Sequence, residues 1–588
     1  MKSSMLLLVL SLSVSLGAGT ALAQNAAVRG TVTDADGAAL GGANVLVRAP
    51  AQTAMVAGTA TDADGAYRIG GLAAGTYEVV ARFVGFVDAV QTVTLAAGQT
   101  ATVDLVLDAD DVALNPVVVT ASRRQEKALD APASISVVTA RELEADPVPS
   151  PTVSLRNMPG VDIAQVGVDR YQVTLRGFNE VFVSRLYVLT DYRQAVTPSL
   201  GVNQFGSMPI SPLDLAQIEV VRGPGSALYG PGVEQGVVHF ITKDPLTFPG
   251  TSAMIGGGER STFQASLRHA GILNDRVGYK VVGYYSRAED WPFDPDDAAD
   301  LDILCNIARD ADGNASRCAR DAAGTVIEAI ELAERDDETW KGYGAGTLQY
   351  RFAPTTVLTL FGGYSALKQI NQANTGENQI DNFGTLFGQA RLQAGNFFAQ
   401  AYLNRNDAGD TFVIRSGADI IDESTQFTAQ AQYDLDFAGG RQGFIVGGDY
   451  KVTTPKTGGT IHGRNEEDDQ LVEAGVYLQS ETHVTPQLDL VLTGRLDRDN
   501  VIEKVQLSPR AALVFKPTPA HSLRATYNRA FTTPAGVNLF LDLVVAPPAA
   551  NGGLFGIRAV GARDPFTFDD ANLVSLVPSL AGALAPLG

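Results

Sequence analysis

The chain has 588 residues, a formal net charge of −21 and 45% hydrophobic residues. The acidic balance excludes a basic nucleic-acid binder, because phosphate needs a cationic partner surface, and the apolar content excludes a disordered chain. Two cysteines are too few for a disulfide framework or a four-cysteine zinc site, whereas 60 glycines and 28 prolines point to many turns and so to β structure.

The first element is an export signal over 1–23. Lys2 gives a positive start, Met5 to Leu16 is mostly apolar, and Ala21-Leu22-Ala23 is a small-x-small cleavage site that would leave Gln24 first in the mature chain. Read instead as a membrane anchor, the run is short for the ~18 residues a span requires.

Residues 24–108 read as short strands separated by turns. Val28 to Thr33, Thr59 to Thr61, Ala66 to Ile69, Thr76 to Arg82 and Thr100 to Leu107 are strand-like, and the last two alternate as strands with one buried face. Asp34-Ala35-Asp36-Gly37 and Asp62-Ala63-Asp64-Gly65 suggest calcium loops. An EF-hand, however, needs an oxygen ligand at its fifth position and Glu at its twelfth, where this chain has Ala38 and Val45, or Ala66 and Ala73. Both are expected to be hairpin turns. The pattern from Val28 to Phe86 resembles the carboxypeptidase-regulatory-like domain. That resemblance implies a transthyretin-like β-sandwich that is not itself catalytic and often precedes an outer-membrane receptor.

An acidic linker with a short apolar strand occupies 109–125. Val117, Val118, Val119 and Thr120 follow Pro116 and favour an extended segment. It reads either as an ordinary linker strand or as a docking strand added to a partner's sheet edge. The run "VVVTASR" resembles a TonB box, which implies a TonB-like periplasmic energy-coupling protein as partner.

Residues 126–247 contain "PASISVVTARELEA", "LRNMPGVDI", "VTLRGF", "LYVLTD" and "IEVVRGPGSALYGPGVEQGVVHFITK". This ordered series resembles the plug domain of TonB-dependent outer-membrane receptors. Two departures stand out: Asp191-Tyr192 replaces the usual Asp-Gly, and Gln235 to Phe240 replaces Gly-Gly-Val-Ile-Asn-Ile. Arg176 and Arg222 each precede a glycine. The resemblance implies that both latch the plug to glutamates on a barrel wall; read alone, they are solvated arginines.

From 248 to 588 the pattern has period two, as in Thr425 to Leu435 and Leu488 to Asp497. Links alternate between short turns and long segments, the latter at 292–339, 369–381, 412–423 and 456–467, which is the asymmetry of an outer-membrane barrel. Trp291 and Trp340, the two tryptophans, bracket the longest link and should sit near the outer interface. That link carries Cys305 and Cys318, expected to pair in an exported chain. It also carries Asp310 to Asn314, read as a solvated acidic turn or a weak cation site.

The expected fold is therefore mainly β: a transthyretin-like sandwich, then a plug inside an antiparallel transmembrane β-barrel. About thirteen wall strands can be placed, against about 22 in plugged transporters. The stretch Leu576 to Gly588 has no aromatic end, so the barrel is expected to be incomplete, with a smaller closed barrel as the rival. No catalytic motif, metal site or cofactor is indicated, since none of the five histidines lies in H-E-x-x-H and no G-x-S-x-G occurs. A dispersed catalytic triad stays open. The resemblance implies an outer-membrane receptor that imports a scarce solute of the iron–siderophore, cobalamin or glycan class. Its partners would be outer-membrane lipid, an external small-molecule or glycan ligand and a TonB-like protein, with no nucleic acid. The alternative is a non-transporting or adhesin-like outer-membrane barrel.

Overall fold

The computed structural model describes residues 26–35, 37–50, 55–83, 86, 88–107, 116–120, 123–124, 126–146, 150–179, 184–274, 276–292, 318–320, 326–329, 335–373, 376–414, 417–501, 504–518, 521–546 and 557–561. The expected signal segment, the pairing of Cys305 with Cys318, the Asp310 to Asn314 turn and the stretch from Leu576 lie outside the described residues. The chain divides into two units, Met1–Asp111 and Val112–Gly588.

The first unit is a sandwich of two four-stranded sheets. In one, β1 (Ala26–Asp34) pairs with β4 (Ala66–Leu72), β7 (Thr100–Thr102) and β8 (Leu105–Leu107). In the other, β2 (Asn44–Arg48), β3 (Met55–Ala60), β5 (Gly75–Arg82) and β6 (Ala89–Leu95) lie in the order β3-β2-β5-β6. Val28, Val45, Ile69, Val79, Leu95 and Leu107 share the core between them. Both Asp-x-Asp-Gly runs are turns. Gly37 and Gly65 have φ of +84° and +74°, and the Asp34 and Asp62 carboxylates accept the amides of Ala38 and Ala66 at 2.7 and 2.8 Å.

The second unit opens with a small domain. β9 (Val117–Val118) pairs with β10 (Glu126–Lys127). A capping box of Thr139 with Glu142 starts helix α1 (Ala140–Ala145) immediately after β11 (Ser134–Thr139). β12 (Val161–Gly167) and β13 (Arg170–Leu175) form a hairpin. β14 (Leu186–Thr190), β15 (Arg193–Gln194), β16 (Leu215–Arg222) and β17 (Gly236–Thr242) complete a mixed sheet in the order β11-β16-β17-β14-β15, with the short helix α2 (Ser226–Tyr229) between β16 and β17. Its central strands β16 and β17 are largely buried on both faces and therefore read as apolar runs rather than alternations. Ile218, Val220, Val238 and Phe240 are all fully buried, each contributing about 1.5–3 kcal/mol of burial.

Around it runs one antiparallel wall. Its first strands are β18 (Gly250–Gly257), β19 (Phe263–Asn274) and β20 (Val277–Glu289). A separate small hairpin of β21 (Cys318–Arg320) and β22 (Val326–Ala329) intervenes. The wall continues through β23 (Glu338–Ala353), β24 (Thr356–Ala373), β25 (Gly376–Ala394) and β26 (Phe397–Asp407). After the short β27 (Phe412–Val413) and β28 (Ala418–Asp419) come β29 (Thr425–Phe437), β30 (Gln442–Thr454) and β31 (Leu471–Thr485). The last wall strands are β32 (Leu488–Asp499), β33 (Gln506–Thr518) and β34 (His521–Asn528). Helix α3 (Gly536–Phe540) and a hairpin of β35 (Asp542–Ala546) with β36 (Ile557–Val560) follow.

Each main wall strand pairs with the next, giving the thirteen strands expected; among the described residues β18 and β34 are not paired with each other. The wall is inside-out relative to a soluble sandwich. Val476, Leu478, Leu492 and Leu496 are exposed on its outer face, while Gln479, Thr493 and Arg495 are buried inside. That is the pattern of a transmembrane barrel. One expected long link is not a link: β24 and β25 run on through 369–381 as a ladder, reaching the pair Ala373 and Gly376.

Candidate functional site

β9 is held by very little sheet. Only Val117 and Val118 pair, with Lys127 and Glu126. The main hold is a carboxylate. Glu219, fully buried on β16, accepts the Val119 amide on both oxygens at 3.1 Å and the Thr120 amide on Oε2 at 2.8 Å. Gln217 Nε2 donates to Glu219 Oε1 at 2.7 Å and to the Val117 carbonyl at 3.1 Å. Burial pushes the Glu219 carboxyl up, and the bonds from Thr120, Val119 and Gln217 oppose that rise.

His239 lies directly across from Glu219 on β17. Its Nε2 accepts the Tyr192 amide at 3.1 Å, so the neutral ring carries its proton on Nδ1 and donates it to Thr120 Oγ1 at 3.0 Å. Complete burial favours this neutral form and lowers the histidine pKa to about 4. Tyr229 donates its hydroxyl to the Thr120 carbonyl at 2.8 Å. Thr120 and Val118 are buried, whereas Val117 is exposed. Immediately beyond, Arg123 lies over the rings of Tyr229 and Tyr477, and Arg124 pairs with Glu481 of the wall.

The two expected latch arginines sit elsewhere. Arg222 donates to Ser136 Oγ at 2.7 Å, to Ser134 Oγ at 3.0 Å and to the Pro159 carbonyl at 3.4 Å, all within the inner domain. Arg176 is exposed beside Gly160. Among the described residues neither is ion-paired to a wall carboxylate. Buried plug–wall ion pairs run both ways: Arg170 of β13 meets Asp290, just after β20, at 3.2 Å, and a second pair has the opposite polarity. Asp214, at the end of the 3-10 turn Pro212–Asp214, receives Arg268 of β19 at 2.9 Å and Lys280 of β20 at 2.8 Å. Burial pushes the Asp214 carboxyl up, and the two cations oppose it.

Two adjoining cavities lie between the inner domain and the wall. Ser184, Tyr187, Asn203, Lys451, Glu473 and Phe540 bound the first. Arg123, Tyr229, Asp449 and Asp497 bound the second, which shares Tyr187, Pro231, Lys451 and Glu473 with the first. Lys451 and Glu473 are paired at 2.6 Å. Polar surface thus runs from the long-link end of the wall to the residue three positions after Thr120.

Three family models cover most of the described chain. Residues 27–108 match the carboxypeptidase regulatory-like domain, 127–237 the TonB-dependent receptor plug domain, and 223–564 the TonB-dependent receptor-like β-barrel. The last alone spans more than half of the sequence. The chain belongs to the TonB-dependent receptor family. Members of this family are non-enzymatic receptors, in keeping with the missing catalytic motifs. The chain is 22% identical over 439 residues to a vitamin B12 transporter of Vibrio vulnificus, covering 73% of this chain and 65% of that protein. It is 26% identical over 236 residues to a ferrioxamine B receptor of Salmonella typhimurium, covering 37% of this chain and 33% of that one. The chain thus spans less than two thirds of the length of these curated relatives. Its fold is similar to that of a ferric enterobactin receptor from Pseudomonas aeruginosa, at 18% identity and a TM-score of 0.51, covering 73% of this chain and 66% of the other.

In TonB-dependent receptor terms the inner domain is the plug. Sequence reasoning singled out Val117 to Thr120 but missed Glu219, Asp214 and the role of His239. Their one signal was a charged or ionisable residue inside an otherwise apolar run, as in Ile218-Glu219-Val220 and Val238-His239-Phe240, which must find a partner once buried.

Proposed function

We propose that this receptor works in an outer membrane, reached by signal-directed export, and imports a scarce solute by energy-coupled transport. Val117–Thr120 is the strand pulled by a TonB-like periplasmic protein. The supporting observation is how the strand is held: only two of its residues are in a ladder, and its other backbone bonds go to the side chains of Glu219, Gln217 and Tyr229, so a partner's sheet edge can replace them. Solute enters at the cavity bounded by Tyr187, Lys451, Glu473 and Phe540. The B12 and ferrioxamine relatives make cobalamin and iron–siderophore complexes the first solutes to try, with glycans next. Acidic outer links disfavour a strongly anionic solute. Within this reading Cys305 and Cys318 brace the longest outer link. Exposed Arg176 is better placed than Arg222 to meet a wall carboxylate.

Val118→Pro removes a backbone donor and the buried side chain together. Solute binding should persist while uptake by a receptor-deficient strain stops. Unchanged uptake would refute the coupling role.

A further inference from the structure

Asp191 and Tyr192 have φ of +47° and +71°, and neither is glycine. A left-handed aromatic residue is held only where its surroundings over-determine it, and here they do. Gln389 and Gln400 of the wall donate to the Asp191 and Tyr192 carbonyls at 2.9 and 2.8 Å. The Tyr192 ring lies between the Arg391 guanidinium, 5.1 Å from its centroid, and the His239 ring, edge-on at 4.9 Å.

Three hydrogen bonds therefore join the wall to the coupling strand: Gln400 to the Tyr192 carbonyl, the Tyr192 amide to His239 Nε2, and His239 Nδ1 to Thr120 Oγ1. Tyr192 sits in the turn of the β14–β15 hairpin. At the opposite end of that hairpin, Leu186, Tyr187 and Gln194 line the first cavity. One short element thus touches the cavity at one end and the holder of Thr120 at the other.

We propose that His239 is a positioning residue that links movement of the β14–β15 hairpin against the wall to release of Thr120. The proposal rests on reading Val117–Thr120 as the coupling strand. Both ring nitrogens are committed, one to each side, and the ring is fully buried. When the Tyr192 turn shifts, Nε2 loses its donor, and the ring can regain one only by turning away from Thr120. The coupling runs equally in reverse: pulling Thr120 out loosens the hairpin at the cavity.

Amide hydrogen exchange on the full chain in detergent tests this. His239→Ala should speed exchange at Val119 and Thr120 about tenfold, equivalent to about 1.4 kcal/mol. Gln400→Met, a wall change that touches neither amide, should speed it about threefold. Exchange in the β16–β17 ladder should stay unchanged in both. Wild-type rates in both variants, or a change confined to His239→Ala, would overturn the link. In parallel, a purified TonB-type periplasmic domain is added, and binding should tighten in both variants. Faster exchange with no binding to any form would remove the coupling-strand reading and leave the link standing. Equal binding to all forms with unchanged exchange would remove the link alone.

Discussion

Arg495 of the wall lies against the backbone of Gly230 in the plug, so that a methyl group on this glycine would stand 2.9 Å from Nη2. The arginine cannot retreat freely. It is almost fully buried and donates to Asp449 at 2.7 Å on two nitrogens and to Asp497 at 2.7 Å. Gly230 has φ +86° and ψ −160°, a backbone region open essentially to glycine alone. The close approach and the backbone conformation depend on the same missing side chain.

Gly230→Ala should therefore weaken the plug by about 1–3 kcal/mol through strain alone, with the contact adding to it. Denaturant titration followed by exchange of the β16–β17 amides would show this. A change below a few tenths of a kcal/mol would mean that Arg495 yields without cost.

Glu219→Ala leaves the Val119 and Thr120 amides without their acceptor, whereas Glu219→Gln keeps one acceptor oxygen. The alanine variant should expose the segment to proteolysis after Arg123 or Arg124, and the glutamine variant should do so less. Loss of two charge-assisted bonds corresponds to roughly 3 kcal/mol or more. Equal protection in all three proteins would show that Glu219 is not what holds the strand.

Removing Asp214 leaves two cations buried inside the wall. Asp214→Ala should destabilise the plug–wall assembly by about 3–5 kcal/mol, the cost of breaking a buried pair from one side. Thermal unfolding in detergent measures it. The double variant Asp214→Leu with Lys280→Met should recover part of the loss, because one unpaired charge goes with its partner.

Acid should loosen Val117–Thr120 through His239. Its pKa of about 4 in the folded plug lies below the ordinary 6.5, so the unfolded chain binds the proton more tightly. The stabilisation is complete above pH 6.5, is lost as pH falls toward 4, and amounts to about 3 kcal/mol. Glu219 has the opposite sign, because its raised pKa favours the protonated folded form as pH falls. Comparing wild type with His239→Asn between pH 7 and 4 isolates the histidine. Parallel pH profiles would show that it is not the titrating group.

The wall was readable because lipid imposes a strict demand: every second side chain must be apolar, whatever it faces inside. The same reasoning explains the misjudged stretch at 369–381. Gln369, Asn371, Glu377 and Asn378 belong to paired strands, but the apolar–polar alternation fades there, so a long polar ladder reads like a loop. The plug was recognised from linked motifs, and Val117–Thr120 from its valines. What holds those valines was not visible, because Glu219 and His239 act about a hundred residues away in sequence. A buried polar residue announces that it needs a partner without saying which one. Arg222 shows the converse: it is held within the plug by Ser134 and Ser136, whose hydroxyls carried no pattern of their own.

The β24–β25 ladder also determines what an approaching particle meets first. Strands of 18 and 19 residues extend about 60 Å, or about 40 Å along the membrane normal at a 45° tilt, whereas the apolar band of such a wall is only about 25 Å tall. The surplus stands clear of the lipid as a braced ladder, with β27 paired to Asn378 and Gln379 and Arg335 meeting Glu377 at 3.3 Å. A large particle arriving from that side would meet this ladder before the cavity. A grip on this ladder would hold the wall without entering the cavity.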